Sequence, residues 1–238
     1  MKKLNLFEKQ ASDSFLTAVF LTLSGGFQDA YTYSCRGEVF ANAQTGNIVL
    51  LSLALFKRRW DIAIKYLVPV LSFIAGIATS TSVQIHLKNF RKLHWRQIVL
   101  IMEIILLFVV GFIPSELQFL ANALVSFVCA MQVQAFYKIE GHSYASTMCI
   151  GNLRSGTQAF CEYVSSKDKR VLKKAITYFS VIFIFAVGAG VGGVLTSYIG
   201  YRSIWISCLL LMVSTGLMFF DGKKSTVENI HNKSNSKF

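Results

Sequence analysis

Apolar stretches of close to 20 residues recur along the chain. They lie at Phe15–Ser34, Ile62–Leu87, Ile98–Pro114, Leu117–Tyr137, Ile176–Ile199 and Ser203–Phe220. Each approaches the ~20 residues that an α-helix needs to cross about 30 Å of hydrocarbon. Transmembrane β-strands would alternate apolar and polar residues, whereas residues 98–113 are almost continuously apolar. The sequence therefore predicts an all-α, polytopic bundle of transmembrane helices.

Composition and charge agree with a membrane location. Hydrophobic residues make up 53% of the 238 and charged residues only 15%, against about 25% in soluble domains. The formal net charge of +12 comes from lysines and arginines that are confined to short loops and the two tails. This distribution is typical of the positive-inside rule and not of a nucleic-acid partner. We expect membrane lipid around the chain and both termini in the cytoplasm.

One unusual polar segment occurs twice. Residues 26–47 read GFQDAYTYSCRGEVFANAQTGN, and residues 130–152 read AMQVQAFYKIEGHSYASTMCIGN. The alignment pairs Gln28 with Gln132, Gly37 with Gly141, Ala41 with Ala145, and Gly46-Asn47 with Gly151-Asn152. Polar, glycine-containing breaks at matching positions of hydrophobic segments are typical of transporters that are built from internal repeats. We predict one membrane domain, residues 15–220, with repeats at about 15–114 and 115–220.

The number of crossings decides how such repeats are related. One model has six full spans and two short elements, around residues 43–56 and 151–165, that enter the membrane without crossing it. In this model only the basic cluster at 57–59 lies outside the cytoplasm, against the positive-inside rule. With eight crossings, the basic loop at 88–96 is outside instead. Three spans per repeat make the copies inverted, and four make them parallel. We predict six spans plus two half-helices or re-entrant elements, with eight as the alternative. We expect residues 1–14 to form a cytoplasmic segment and residues 221–238 to form a basic, disordered cytoplasmic tail.

The repeated Gly-Asn blocks suggest a binding site. Thr45 or Asn47 is placed to cap a helix whose first amide N–H groups point into the protein. A helix N-terminus at membrane depth attracts anions. Gly151 and Asn152 supply the same elements in the second copy, and Arg154 adds a charge. The alternative is that the glycines allow close helix packing while the amides tie neighbouring helices together.

Ionisable residues inside apolar stretches are costly and are therefore functional candidates. Asp29 lies within the first repeated block, Glu103 lies within an apolar helix, and Arg154 and Glu162 are eight residues apart on one helix face. Glu103 and Glu162 are candidates for a relay or an ion pair. The expected substrate-binding residues are Gln28, Asp29, Thr45, Gly46, Asn47, Gln132, Gly151, Asn152 and Arg154. Gly76, Gly188 and Gly192 are expected to pack helices, and the glycine-rich helix can serve a homodimer as well as an internal contact.

These motifs carry a resemblance to a known family. The stretches G-F-Q-D-A, F-A-N-A-Q-T-G-N followed by I-V-L-L-S-L-A-L, F-I-A-G-I-A, and G-N-L-R resemble the YoaK-like family of uncharacterised bacterial multi-pass membrane proteins. The resemblance runs from about Phe15 to Phe220. It implies a membrane protein of six or more helices in a bacterial inner membrane, and it implies no substrate because the family has no settled activity.

Three classes of function follow from these observations. A secondary transporter of a small polar or anionic solute explains the repeats, the interrupted helices and the buried charges together. A membrane scaffold or accessory subunit is the main alternative. An intramembrane enzyme would need a set such as H-E-x-x-H or G-x-S-x-G, and the sequence has neither. We therefore expect no catalytic residues, no metal and no cofactor.

Overall fold

The computed structural model describes residues 14–87, 94–139, 142–144 and 146–219. The expected N-terminal segment up to residue 13, the tail, most of the 88–96 loop, Gly141 and Ala145 lie outside the described residues. The helices are α1 (Phe15–Cys35), α2 (Gln44–Phe56), α3 (Trp60–Leu87), α4 (Trp95–Val110), α5 (Gln118–Ala135), α6 (Cys149–Ser166), α7 (Lys169–Ile199) and α8 (205–219). Short 3-10 turns lie at Ser115–Leu117 and Gly200–Ile204, and a hairpin pairs β1 (Lys138–Ile139) with β2 (His142–Ser143). The all-α fold class is confirmed.

Some of the expected membrane spans meet the length and hydropathy that a crossing helix needs. Within the described residues, three helical segments are long and apolar enough to cross a membrane: Trp60–Leu87, Ser115–Ala135 and Lys169–Phe219. The last contains α7, the turn at Gly200–Ile204 and α8. Helices α1 and α4 are not in this set, because α4 has only 16 residues and α1 carries several polar residues in its middle.

Contacts between helices fix the directions in which they run. Gln132 of α5 donates to the Leu21 carbonyl near the start of α1, at 3.1 Å, and Asn122 near the start of α5 donates to the Arg36 carbonyl after α1, at 2.8 Å. Helices α1 and α5 are therefore antiparallel. In contrast, Ser80 of α3 donates to the Met131 carbonyl, and Gly76 lies against Phe127. Helices α3 and α5 are therefore parallel.

Helix α7 runs parallel to α1 and contacts it through two glycines. Gly188 lies against the backbone of Leu23, and Gly192 against that of Phe27, so closely that a Cβ atom at either glycine would overlap main-chain atoms. Gly76 makes the corresponding contact with the Phe127 carbonyl in the α3–α5 pair. Small residues let these backbones approach each other, as in other helical membrane proteins.

Helix α4 completes the bundle against α5 and α8. The Arg96 Nε atom donates to the Ala135 carbonyl at 2.9 Å, so the start of α4 meets the end of α5. Trp205 of α8 donates to the Phe108 carbonyl at 3.0 Å, and Cys208 approaches the Ile104 carbonyl at 3.7 Å. Helices α1, α4 and α7 therefore run in one direction, and α3, α5 and α8 run in the other.

A fully buried arginine links the C-terminal ends of α1 and α4. Arg36 is 0% exposed. Its Nε atom donates to the Tyr31 hydroxyl at 2.9 Å, and its Nη atoms donate to the carbonyls of Val110, at 3.2 Å, and Pro114, at 3.3 Å. The guanidinium also lies 4.0 Å from the centroid of the Tyr201 ring. The positive charge is thus shared among carbonyl groups and aromatic faces.

Candidate functional site

The loop after α1 turns back into the bundle. The backbone N–H of Asn42 donates to Oδ1 of Asp29 at 2.8 Å, and the Asn42 Nδ2 atom donates to the Gly25 carbonyl at 3.2 Å. The turn that reverses the chain uses left-handed backbone at Gly37, with φ 86°, and at Glu38, with φ 58°. Because Gly25 lies at the middle of the 21-residue α1, the next helix begins at about half the depth of the bundle.

The loop before α6 returns to the same depth from the other direction. The Gln132 side chain donates to the Ser146 hydroxyl at 2.9 Å as well as to the Leu21 carbonyl. The Thr147 methyl group lies where a Cβ atom of Gly25 would be. The loops before α2 and α6, which we call the return loops, therefore meet at Gly25. Asn42 of the first loop donates to the Gly25 carbonyl, and Thr147 of the second loop packs against the Gly25 Cα.

Helices α2 and α6 leave this meeting point toward opposite ends. Helix α2 leads into α3, whose Lys65 lies against Gly37, level with the end of α1. Helix α6 packs its Gly156 against Tyr178 of α7, and Tyr178 clusters with Ala18 near the start of α1. Both helices thus have their N-terminus near the middle of the bundle and their C-terminus at an end.

A cavity of about 570 Å³ lies where the two helices begin. Its lining consists of Asp29, Asn42, Ala43, Gln44, Thr45, Phe73, Tyr144, Thr147, Met148, Cys149, Ile150, Gly151, Asn152, Ser155 and Phe185. Among these described residues, Asp29 is the only one with a charged side chain. Two buried polar atoms of the lining, Oδ1 of Asn42 and Oγ1 of Thr147, have no hydrogen-bond partner within the described structure. Unpaired buried groups of this kind are expensive unless water or a ligand satisfies them.

The two helix N-termini in the cavity differ electrostatically. In the loop that leads into α2, the Asn42 N–H donates to the Asp29 carboxylate. The residue that the sequence alignment pairs with Asp29 is the apolar Val133. Met148, the N-cap of α6, provides no side-chain cap. The positive end of the α6 dipole therefore faces the cavity without a carboxylate on its amides from Val133 or Met148.

Comparison with known proteins assigns the chain to a family. Residues 17–217 match the family described as "Protein of unknown function (DUF1275)". The chain belongs to the DUF1275 family. It is also 24% identical to the UPF0700 transmembrane protein YoaK of Bacillus subtilis (strain 168) over 215 residues, which cover 86% of this chain and 94% of YoaK. No solved structure matches the chain significantly. Together with its long apolar helices, membership identifies an integral membrane protein and supports the YoaK-like resemblance seen in the sequence.

In this DUF1275 chain, four of the expected substrate-binding residues line the cavity: Asp29, Thr45, Gly151 and Asn152. The others lie elsewhere. Gln28 accepts from Cys129 of α5 at 2.8 Å and donates to Ser24, and Gln132 binds Leu21 and Ser146. These two equivalent glutamines thus both cross the α1–α5 interface. Gly46 lies against the Phe40 ring, and Arg154 is exposed on α6.

The expectation that Thr45 or Asn47 caps α2 is wrong. The helix begins at Gln44, and its N-cap Ala43 has no side-chain cap. Asn47 lies one turn into the helix and holds the preceding loop instead. Its Nδ2 atom donates to the Phe40 carbonyl at 2.7 Å, and its Oδ1 atom accepts from the Phe40 N–H at 3.2 Å. The loop before α2 is also held from α1, because Asp29 accepts from the Asn42 N–H.

The two candidate relay carboxylates have very different surroundings. Glu103 is 0% exposed, and neither of its carboxylate oxygens has a hydrogen-bond partner in the described structure. Glu162 is exposed on α6, as is Arg154, and no ion pair joins them. Glu103 is thus a core residue, and Glu162 is a surface residue.

Eleven of the fifteen lining residues were not expected from the sequence, among them Asn42, Thr147, Phe73 and Phe185. Asn42 and Thr147 each lie two residues before α2 and α6, within the two polar segments that the sequence alignment pairs. That position could have marked them as residues near the site. Phe73 and Phe185 face the cavity from α3 and α7. They begin the matching stretches FIAG and FAVG. A match between two apolar helices at an aromatic residue could have marked both as inward-facing.

Proposed function

We propose that this protein is a secondary transporter of a small polar or anionic solute in the bacterial cytoplasmic membrane. Helices α1, α3, α4, α5, α7 and α8 are the six full spans, and α2 and α6 are re-entrant half-helices. The alternating directions of these six helices support this topology. Both termini then lie on the same side, which the basic charge of the tails makes the cytoplasmic side.

We further propose that α1–α4 and α5–α8 are inverted repeats. The order of elements supports this, since each half has a first helix, a helix that begins at mid-depth, a long helix and a final helix. The packing supports it too, because α1 packs in parallel on α7 and α5 packs in parallel on α3. An odd number of spans per half requires the second copy to insert upside down.

The observation that carries the proposal is the meeting of the two return loops at Gly25. It brings α2 and α6 together by their N-termini, at a cavity whose lining residues Asn42 and Thr147 each have a buried polar atom without a partner in the described structure. Interrupted helices whose N-termini converge at mid-depth form the solute sites of many secondary transporters. The uncapped start of α6 supplies a positive potential for a carboxylate or another compact anion, without a basic side chain.

A ligand screen on the purified protein tests the proposal. Thermal unfolding would be measured against panels of small anions, amino acids, nucleobases and sugars, because a ligand at 100 times its Kd adds about 2.7 kcal/mol of stability. Thr147→Val removes the unpartnered hydroxyl and keeps the shape of the side chain. Thr157→Val, on the exposed side of α6, is the matched control.

The outcomes separate the two main classes of function. A ligand that stabilises the wild-type protein and the Thr157→Val variant, but not Thr147→Val, would support a solute site in the cavity. Uptake of that ligand into proteoliposomes would then establish transport. Silence across the whole panel would favour the scaffold or accessory subunit, since such a protein needs no solute.

A further inference from the structure

We propose that Glu103 is a proton-binding site that couples solute movement to the proton gradient. This inference rests on the proposed transport function and names its coupling ion. Glu103 lies midway along α4, on the same face as the core residues Leu100 and Leu107. It is fully buried, and both carboxylate oxygens lack partners within the described structure.

The surroundings of Glu103 do not suit a negative charge. Helix α4 packs against α3, α5, the turn at Gly200–Ile204 and α8. Two thiols lie on these elements: Cys208 of α8, beside Ile104, and Cys129 of α5. The other titratable groups of these elements lie toward the ends of the bundle. Arg96, beside Ala135, and the exposed His86 are at one end. Asp61, Lys65, Tyr66, Tyr201 and Arg202 are at the other end, where Arg36 of the α1 C-cap lies beside Val110.

A carboxylate in such a place has no compensating charge or donor. An unpaired buried ion is far more costly than its neutral form, so this conformation holds Glu103 protonated. A conformational change that admitted water beside α4 would hydrate the carboxylate and let the proton leave. The proton is taken from water on one side and given to water on the other, so no further reactant is needed.

Helix α5, which packs against α4, also contacts α1 beside the cavity. Cys129 donates to the Gln28 side chain at 2.8 Å, and Gln28 is followed in α1 by Asp29, which lines the cavity. Helix α5 packs against α1, which carries Asp29, and against α4, which carries Glu103. A conformational change that alters the α1–α5 contact acts on the solute cavity and on the surroundings of Glu103 together.

Infrared spectroscopy of the whole protein in lipid vesicles tests the protonation directly. We expect a protonated-carboxyl C=O band at neutral pH that is absent from Glu103→Gln and present in Glu116→Gln. Glu116 is an exposed residue in the turn between α4 and α5 and serves as the matched control. We also expect the band to decrease reversibly as the pH is raised. A band that Glu103→Gln leaves intact, or one that never titrates, would overturn the proposal.

Modification of the wild-type protein gives a test that does not depend on a variant. Dicyclohexylcarbodiimide reacts with protonated carboxyl groups in apolar surroundings, so we expect a mass increase on the peptide that contains Glu103 and less reaction at high pH. No adduct at low pH would contradict the proposal. Protection of Glu103 by Na⁺ at constant pH would also contradict it, because sodium and not the proton would then be the coupling ion. Both measurements report on Glu103 even if the ligand screen finds no solute, so the failure of either proposal can be recognised separately.

Discussion

The carboxylate of Asp29 holds the backbone N–H of Asn42, thirteen residues later, at 2.8 Å. This hydrogen bond fixes the first return loop at mid-depth and so sets where α2 begins. Because Asp29 also lines the cavity, a change there affects both the loop and the site.

Replacing Asp29 by alanine should therefore release the loop. Hydrogen bonds to charged groups contribute about 1.5–3 kcal/mol, so we expect Asp29→Ala to lower the free energy of unfolding by about 2 kcal/mol. Asp29→Asn keeps an acceptor and should lose less. Reversible unfolding in mixed detergent micelles measures both. Equal losses for the two variants would mean that the charge, and not the hydrogen bond, holds the loop.

The contact between α1 and α7 predicts opposite effects for two nearby glycines. A Cβ at Gly188 would overlap the Leu23 main chain, whereas a Cβ at Gly190 meets nothing within 4 Å. We expect Gly188→Ala to cost roughly 1–3 kcal/mol through overpacking. Gly190→Ala should be neutral or stabilise the helix by up to about 1 kcal/mol. The melting temperatures of the two variants provide the comparison, and a similar loss for both would refute the assigned packing.

The meeting of the return loops at Gly25 predicts energetic coupling with Thr147. An alanine at position 25 would overlap the Thr147 methyl group, and Thr147→Ser removes that methyl group while it keeps the hydroxyl. We expect Gly25→Ala to be destabilising in the wild-type background and clearly less so beside Thr147→Ser. A double-mutant cycle should give a coupling of about 0.5–3 kcal/mol. Additive effects would show that Thr147 does not lie against Gly25 in solution.

The network of Arg36 predicts that the guanidinium itself is required. Arg36→Ala leaves the Val110 and Pro114 carbonyls without their donors, so we expect a loss of about 3 kcal/mol or more. Arg36→Lys keeps the charge but loses the several N–H donors of the guanidinium and its planar face over Tyr201. It should therefore recover only part of the lost stability. Arg59→Ala, at an exposed position, is the control and should change stability little. Full recovery by lysine would mean that charge alone matters.

The six-span topology predicts labelling from opposite sides of the membrane. In a background without cysteine, Glu116→Cys and Lys167→Cys place single thiols at exposed positions in two different connections. With six spans these connections lie on opposite sides, and with eight crossings they lie on the same side. An impermeant maleimide applied to intact cells should label the first thiol, and the second should react only after the membrane is opened. Labelling of both from one side would exclude six spans.

The helices could largely be predicted from the sequence, since long apolar stretches leave few other folds. The expected Phe15–Ser34 and Ile62–Leu87 are found as Phe15–Cys35 and Trp60–Leu87. Helix α7 begins at Lys169 instead of Ile176 because its first turns are basic and do not resemble an apolar span. Asp168 begins it by accepting from the Arg170 N–H at 2.8 Å.

The cavity could be predicted only in part. Polar residues such as Asp29 and Asn152 must avoid lipid, which made them candidates, and the ligand screen will show whether they bind a solute. The face on which each side chain of α6 lies depends on how that helix packs, so the exposure of Arg154 was not evident. Phe73 was missed because an apolar residue that faces a cavity looks like one that faces lipid.

The packing of α1 on α7 and of α3 on α5 has a consequence for the biogenesis of the protein. Each of these helices finds its most extensive partner in the other half of the chain. A chain divided between α4 and α5 would leave both pieces with exposed small-residue faces and open return loops. The two halves are therefore obligate partners, and we expect either piece to be degraded when it is synthesised alone and to persist when both are synthesised together.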